Sequence, residues 1–136
     1  MTSHQRPLAA MMAASELLDC VMVRYNAAHR GAKREVFPVT AARGLPVIAY
    51  TATRWGALPR PTPSDPPRFV PPPAPAWYRF VLQQPAVSVV LTAPHTRAEL
   101  AEDLEVLSAS GPLPAQEYEA LARHGERVRV HTGQFA

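Results

Sequence analysis

Apolar residues in this chain follow two rhythms. Asp19–Tyr25, Leu45–Thr51 and Val87–Thr92 are almost continuously apolar and rich in β-branched side chains. Such runs read as strands buried on both faces, the pattern of a parallel sheet. Between them the spacing turns helical. Pro7 to Leu18 predicts a helix with Pro7 in its first turn and a stripe of Leu8, Met11, Met12, Leu17 and Leu18. Gly31 to Ala42 predicts a short helix interrupted at Pro38, with Gly44 where a C-terminal cap belongs. Ala76 to Gln83 places Trp77, Phe80 and Val81 on one side and stops before Pro85. Thr96 followed by Glu99 is a capping box, and Leu100, Leu104 and Leu107 give its helix a 3.6 period ending at Gly111 and Pro112. Pro114 to Arg123 is the last predicted helix, with a polar, frayed tail from Arg127. Strands alternating with helices imply right-handed crossovers and an α/β parallel sheet. Three strands leave two unpaired edges, which invite association.

Composition sharpens this picture at one place. Of the 16 prolines, nine lie between positions 59 and 75, so no helix or central strand can form there. Residues 57–75 read as an extended Pro-rich loop within a single domain spanning 1–136. Trp55, Phe69 and Trp77 flank it, which favours packing against the body over a partner-binding proline motif. Apolar residues at 47% and charged residues at 18% exclude wholesale disorder. No apolar run approaches the ~20 residues of a membrane span. The net charge is +3, but no basic run exceeds two residues and aromatics are 7%, so neither a nucleic-acid tract nor a base-stacking platform is expected. Cys20 is alone, which excludes an internal disulfide and a cysteine metal site and reads as a buried, inert thiol. The amino-terminal apolar stretch ends quickly at Ser15 and Glu16, so we expect no signal peptide and a cytoplasmic location.

Function in α/β units sits at the C-terminal ends of strands. Here those ends are Arg24-Tyr25-Asn26, Tyr50 to Trp55, and Thr92 to His95. No dinucleotide, Walker, nucleophile-elbow or zincin motif occurs among them. Thr96 opens a helix that could receive a phosphate, though a plain cap explains it. His29 and His95 could act as an acid/base pair or metal ligands, but neither has a carboxylate at ligand spacing. We expect both to be unpaired surface histidines. Tyr50 could stack on a flat ring or simply pack.

Two runs at these strand ends carry a resemblance. Val21-Met22-Val23-Arg24-Tyr25-Asn26-Ala27-Ala28-His29-Arg30-Gly31-Ala32 resembles the sixth-strand segment of a branch of aldo-keto reductases. Val47-Ile48-Ala49-Tyr50-Thr51-Ala52-Thr53-Arg54-Trp55-Gly56 is similar to their seventh strand and its loop. Val87 to Leu107 resembles the eighth strand and following helix, with Glu102-Asp103 where the family has Glu-Asn. Thr2-Ser3-His4 resembles the end of the fifth strand. The family fold is a (β/α)8 barrel of about 250 residues. The resemblance therefore implies a half-barrel lacking the catalytic Asp, Tyr, Lys and His, so no catalytic residue is assigned here. It leaves the wall for a nicotinamide cofactor, NADP or NAD. By this resemblance Ser3 and His4 face the carboxamide, Tyr50 stacks on the nicotinamide, and Thr51 to Arg54 lie along the diphosphate. Pro94 and His95 receive the adenosine phosphate, and Glu102 and Asp103 meet the adenine. Thr51-Ala52-Thr53 replaces the usual Ser-Pro-Leu, and Pro94 lacks an N–H, which leaves the choice between NADP and NAD open. The expected partners are the cofactor, an N-terminal half-barrel, or a second copy of the chain. The alternatives are a non-catalytic cofactor-binding or protein-interaction module, and a generic α/β domain that self-associates through its edges.

Overall fold

Four parallel strands, not three, build the sheet in the computed structural model, which describes residues 1–109 and 111–132. They are β1 (Thr2–Ser3), β2 (Val21–Arg24), β3 (Val47–Tyr50) and β4 (Val87–Val90), hydrogen-bonded in that order. The extra strand is the two-residue β1, whose Thr2 and Ser3 pair with Met22 and Val23. It is too short to show any apolar rhythm. On β3, Val47 pairs with Val87 but Ile48 pairs with Val89. Ser88 is thus an extra residue that bulges the β4 edge.

The pleat divides these strands into two unlike faces. Val21, Val23, Val47, Ala49 and Val87 are buried. Met22, Arg24, Ile48 and Tyr50, on the opposite face, are only half-buried, and Val89 is 46% exposed. The strands are therefore not buried on both faces, as their apolar sequences suggested. One face lies in the core, and the other leaves apolar side chains partly in water.

The helices are α1 (Arg6–Ala14), α2 (Ala32–Glu35), α3 (Phe37–Ala42), α4 (Ala74–Leu82), α5 (Arg97–Leu104) and α6 (Ala115–His131). A 3-10 turn, Glu105–Ser108, follows α5. The helices depart from expectation in four places. First, α1 ends at Ser15, whose Oγ donates to the Met12 carbonyl, and it buries Ala9 and Ala13 while Leu8, Met11 and Leu17 are exposed. Small alanines let the helix approach the sheet, so the larger stripe turns outward. Second, the break between α2 and α3 falls at Val36, and Pro38 sits in the first turn of α3, where its missing N–H costs nothing. Third, α5 buries Asp103 rather than Leu100 and Leu104. Its cap is also not a closed box. Thr96 Oγ1 accepts from Glu99 N at 3.1 Å, but the Glu99 carboxylate accepts from His95 N at 2.6 Å instead of from Thr96. Fourth, the tail is not frayed over residues 127–131, where α6 continues to His131 with Val128 fully buried; residues 133–136 of that tail lie outside the described residues. The expected cap at Gly44 is present, with a left-handed φ of 60°.

The Pro-rich segment is tied down from both sides. Trp77 Nε1 donates to the Pro72 carbonyl at 2.9 Å. The Asp65 carboxylate accepts from Thr62 N and Arg127 Nε, both at 2.5 Å, and faces His124 Nδ1 at 2.9 Å. Phe69 lies against the His124 ring with Arg127 over its face. Trp77 is buried, whereas Trp55 is 60% exposed. Cys20 is half-buried rather than buried. No helix among the described residues is long and apolar enough to cross a membrane.

Candidate functional site

The sequence-predicted residues fall into three groups along the C-terminal ends of the strands. The first joins β1 to β3. Tyr50 ends β3, yet its Oη lies 3.0 Å from His4 Nδ1 and 3.4 Å from the Ser3 carbonyl, both at the end of β1. The phenol therefore reaches across the end of β2. Both contacts are satisfied together when His4 Nδ1 carries a proton and the phenol donates to Ser3. The His4 ring meets Tyr50 edge-on, with centroids 5.5 Å apart. Partial burial raises the Tyr50 pKa, so the hydroxyl stays protonated. Arg24, paired with Tyr50 in the β2–β3 register, belongs to the same group. Its Nη1 is buried without a hydrogen-bond partner, an orphaned cationic donor beside the Tyr50 phenol.

The second group is the turn after β3. Thr51, Arg54 and Trp55 all adopt left-handed φ angles between 52° and 57°, an unusual run for non-glycine residues and an outlier for β-branched Thr51. Local bonds hold it. Thr51 Oγ1 donates to the Tyr50 carbonyl at 2.7 Å, Arg54 N donates to the Thr51 carbonyl at 2.9 Å, and Asn26 Nδ2 donates to the same oxygen at 2.8 Å. Asn26 is fully buried, and its Oδ1 accepts from Ala28 N and His29 N. The turn carries Arg54 inward. Arg54 is 1% exposed, with Nη1 donating to His29 Nε2 at 2.5 Å and Nε donating to Thr132 Oγ1 at 2.9 Å. His29 is thus paired, not the unpaired surface histidine expected. Burial, together with the charges of Arg24, Arg54, Arg129 and Arg6, lowers its pKa to about 4.

The third group follows β4. Tyr78 Oη donates to Thr92 Oγ1 at 2.8 Å, and Thr92 Oγ1 donates to Asp103 Oδ2. Asp103 is buried inside this chain of hydroxyls, while Glu102 is half-buried. Burial and the neighbouring acids raise the Tyr78 pKa. Pro94 is half-buried and His95 exposed, and the N–H of His95 is already taken by Glu99.

The structure thus brings Ser3, His4 and Tyr50 into contact, while Arg54, His95 and Asp103 make their hydrogen bonds to other residues. Sequence reasoning placed Arg24, Asn26 and Thr92 at functional strand ends without giving them a role, and passed over Tyr78. A signal for a role existed at Arg24, a lone charge at the end of an apolar run; Tyr78, inside a helix, carried none. A nicotinamide-type cofactor fits one end of this row. Tyr50 offers a half-buried ring, and the orphaned Arg24 donor suits an acceptor or anion. The other end does not fit an additional phosphate. Pro94 has no N–H, His95 has given its own to a carboxylate, and Glu99 places negative charge at the helix start. No group of three or more potential metal ligands occurs among the described residues.

Neither a family model nor a curated protein matches the chain. Solved structures do. The aldo-keto reductase AKR11C1 from Bacillus halodurans, holo form, superposes with a TM-score of 0.71 at 15% identity, covering 90% of this chain and 48% of that one. Its apo form gives 0.71 at 16% identity, covering 90% and 49%. At that identity the likeness is one of fold: the chain is built like half of an aldo-keto reductase barrel and spans about half the length of the structures it matches.

Proposed function

We propose that this chain forms the nicotinamide-facing half of a carbonyl-reducing (β/α)8 barrel, with the proton donor and its supporting groups supplied by strands outside it. The observation that carries the reading is the Ser3–His4–Tyr50 group at the C-terminal ends of parallel strands, on a fold matching half of a reductase. A bound nicotinamide cofactor supplies hydride; this chain's part is to hold and orient it. Tyr50 presents its ring to the nicotinamide, Ser3 and His4 face the carboxamide, and Arg24 receives an anionic or acceptor group beside them. Because Glu99 occupies the His95 N–H, the reading favours NAD over NADP. A titration with NADH and NADPH tests it. The expected result is weak binding without preference for NADPH, lost in Tyr50→Ala; equal binding by both proteins removes Tyr50 from the site. The same protein is expected to show no turnover with aldehydes or quinones, since no Tyr here stands with a Lys and an Asp in a donor role. Turnover abolished by one substitution within the chain overturns that part.

A second reading, a non-catalytic module that associates with itself, draws support from the apolar side chains left exposed at both ends of the arc. These are Leu8 and Met11 on α1, and Leu100 and Leu104 on α5.

A further inference from the structure

A cleft of about 520 Å³ opens beside the ends of β1 and β2, between the start of α1, the loop after β2, α2 and α6. Its charged lining is Arg6, Arg30, Lys33, Arg34 and Arg129 against one carboxylate, Glu126. Two of these cations face carboxylates. Arg6 Nε lies 3.0 Å from Glu35, and Arg30 pairs with Glu126. Gly31 helps to seat the first: a Cβ there would lie 2.5–2.7 Å from the Arg6 guanidinium, so only glycine lets Arg6 lie against the loop as it does. Lys33, Arg34 and Arg129 form no ion pair among the described residues. With Glu35 and Glu126 subtracted, three uncompensated cations remain, as many as the net charge of the whole chain. Three stretches of the chain, Arg6, residues 28–34 and α6, bring these cations to one concave site.

We infer that this cleft binds a small, multiply charged oxyanion of the phosphate class, such as a phosphorylated or pyrophosphorylated metabolite, apart from the Tyr50 group. The volume is that of a small-molecule site rather than a macromolecular surface. Guanidinium forks match the oxygens of phosphate in pairs. His29, on the same lining, stays neutral, first because it is partly buried and then because Arg24, Arg54, Arg129 and Arg6 surround it. A neutral ring leaves Nδ1–H free to donate, because Nε2 already accepts from Arg54. Ser3, His4 and Tyr50 do not line the cleft, so the inference stands whether or not the nicotinamide reading does.

The test is calorimetric titration of the full chain with inorganic pyrophosphate, with ionic strength held constant by chloride. Saturable binding is expected, weakened at least about tenfold when Lys33, Arg34 and Arg129 are all changed to Gln. Arg129→Gln alone should give part of that loss. All three side chains are exposed, so the fold is retained, as circular dichroism should show. Saturating NADH should leave the pyrophosphate affinity unchanged. No saturable heat, or equal affinity in the triple variant, overturns the site. Competitive displacement by NADH would assign the cleft to the cofactor's own diphosphate and overturn its separateness.

Discussion

The Nη1 of Arg54 donates to Nε2 of His29 at 2.5 Å, joining the loop after β3 to the loop after β2. Through Nε the same guanidinium reaches Thr132 at the end of α6, so one side chain ties three segments together. Removing it strands two half-buried acceptors, His29 Nε2 and Thr132 Oγ1. Arg54→Met is expected to lower the unfolding free energy by about 2–4 kcal/mol, measured by urea denaturation. Arg54→Lys should rescue little, because a single ammonium cannot reproduce the fork.

Stability should fall on acidification in two separate windows. Folded His29 takes up its proton only near pH 4, whereas an unfolded histidine does so near 6.5. Between those values the unfolded chain binds more protons, so stability declines as pH falls from about 6.5 to 4. Partial exposure limits this loss to about 1–2 kcal/mol. Asp65 acts lower on the scale. Burial by itself would raise its carboxyl, but the hydrogen bonds from Thr62, His124 and Arg127 outweigh burial and hold it well below the ordinary 3.8. The unfolded chain therefore binds the extra proton below about pH 4, removing a further 2–3 kcal/mol or so. Denaturation curves across pH should show His29→Gln flattening the upper window and Asp65→Asn the lower one. A His29→Gln curve that overlays the wild type between pH 4 and 6.5 would contradict the assignment.

Gly125 gives a substitution whose sign opposes helix propensity. In the middle of α6, alanine should gain about 1 kcal/mol over glycine. Here a Cβ would lie 2.4 Å from the Ala27 carbonyl carbon and oxygen, backbone that cannot swing aside. Gly125→Ala is expected to destabilise by about 1–3 kcal/mol net, read from thermal unfolding. A rise in Tm would show that α6 can lift from the loop without loss.

The chain by itself is not expected to be a monodisperse monomer. Val89 and Leu91 on β4 and its extension, Leu8 and Met11 on α1, and Leu100 and Leu104 on α5 are all more than a third exposed. β1 and β4 are free edges of the sheet. Each fully buried aliphatic side chain contributes roughly 1.5–3 kcal/mol, against a total stability of ~5–15 kcal/mol for an ordinary domain. Light scattering after size exclusion should find dimers or larger species. A monomer with a sharp cooperative melt would refute this.

What the sequence by itself determined was the alternation of elements and the parallel sheet. The β-branched runs at 21–24, 47–50 and 87–90 and the proline cluster are local signals, because backbone preferences and side-chain shape act over a few residues. It also pointed to Tyr50 and His4, through the resemblance of the strand ends. The tertiary structure alone decided which face of each element is buried. Helix α1 shows Leu8 and Met11 to solvent because alanine packs closer to the sheet, and α5 buries Asp103 because Thr92 and Tyr78 donate to its carboxylate. It likewise decided that α6 extends to His131: the tail is polar in composition, but Val128 finds the core and Arg127 finds Asp65, 62 residues away in sequence. Charges and hydrogen-bond partners so far apart meet only when the chain closes. For that reason the buried Arg54–His29 pair and the basic cleft were written in the sequence as scattered arginines and became sites only in the fold.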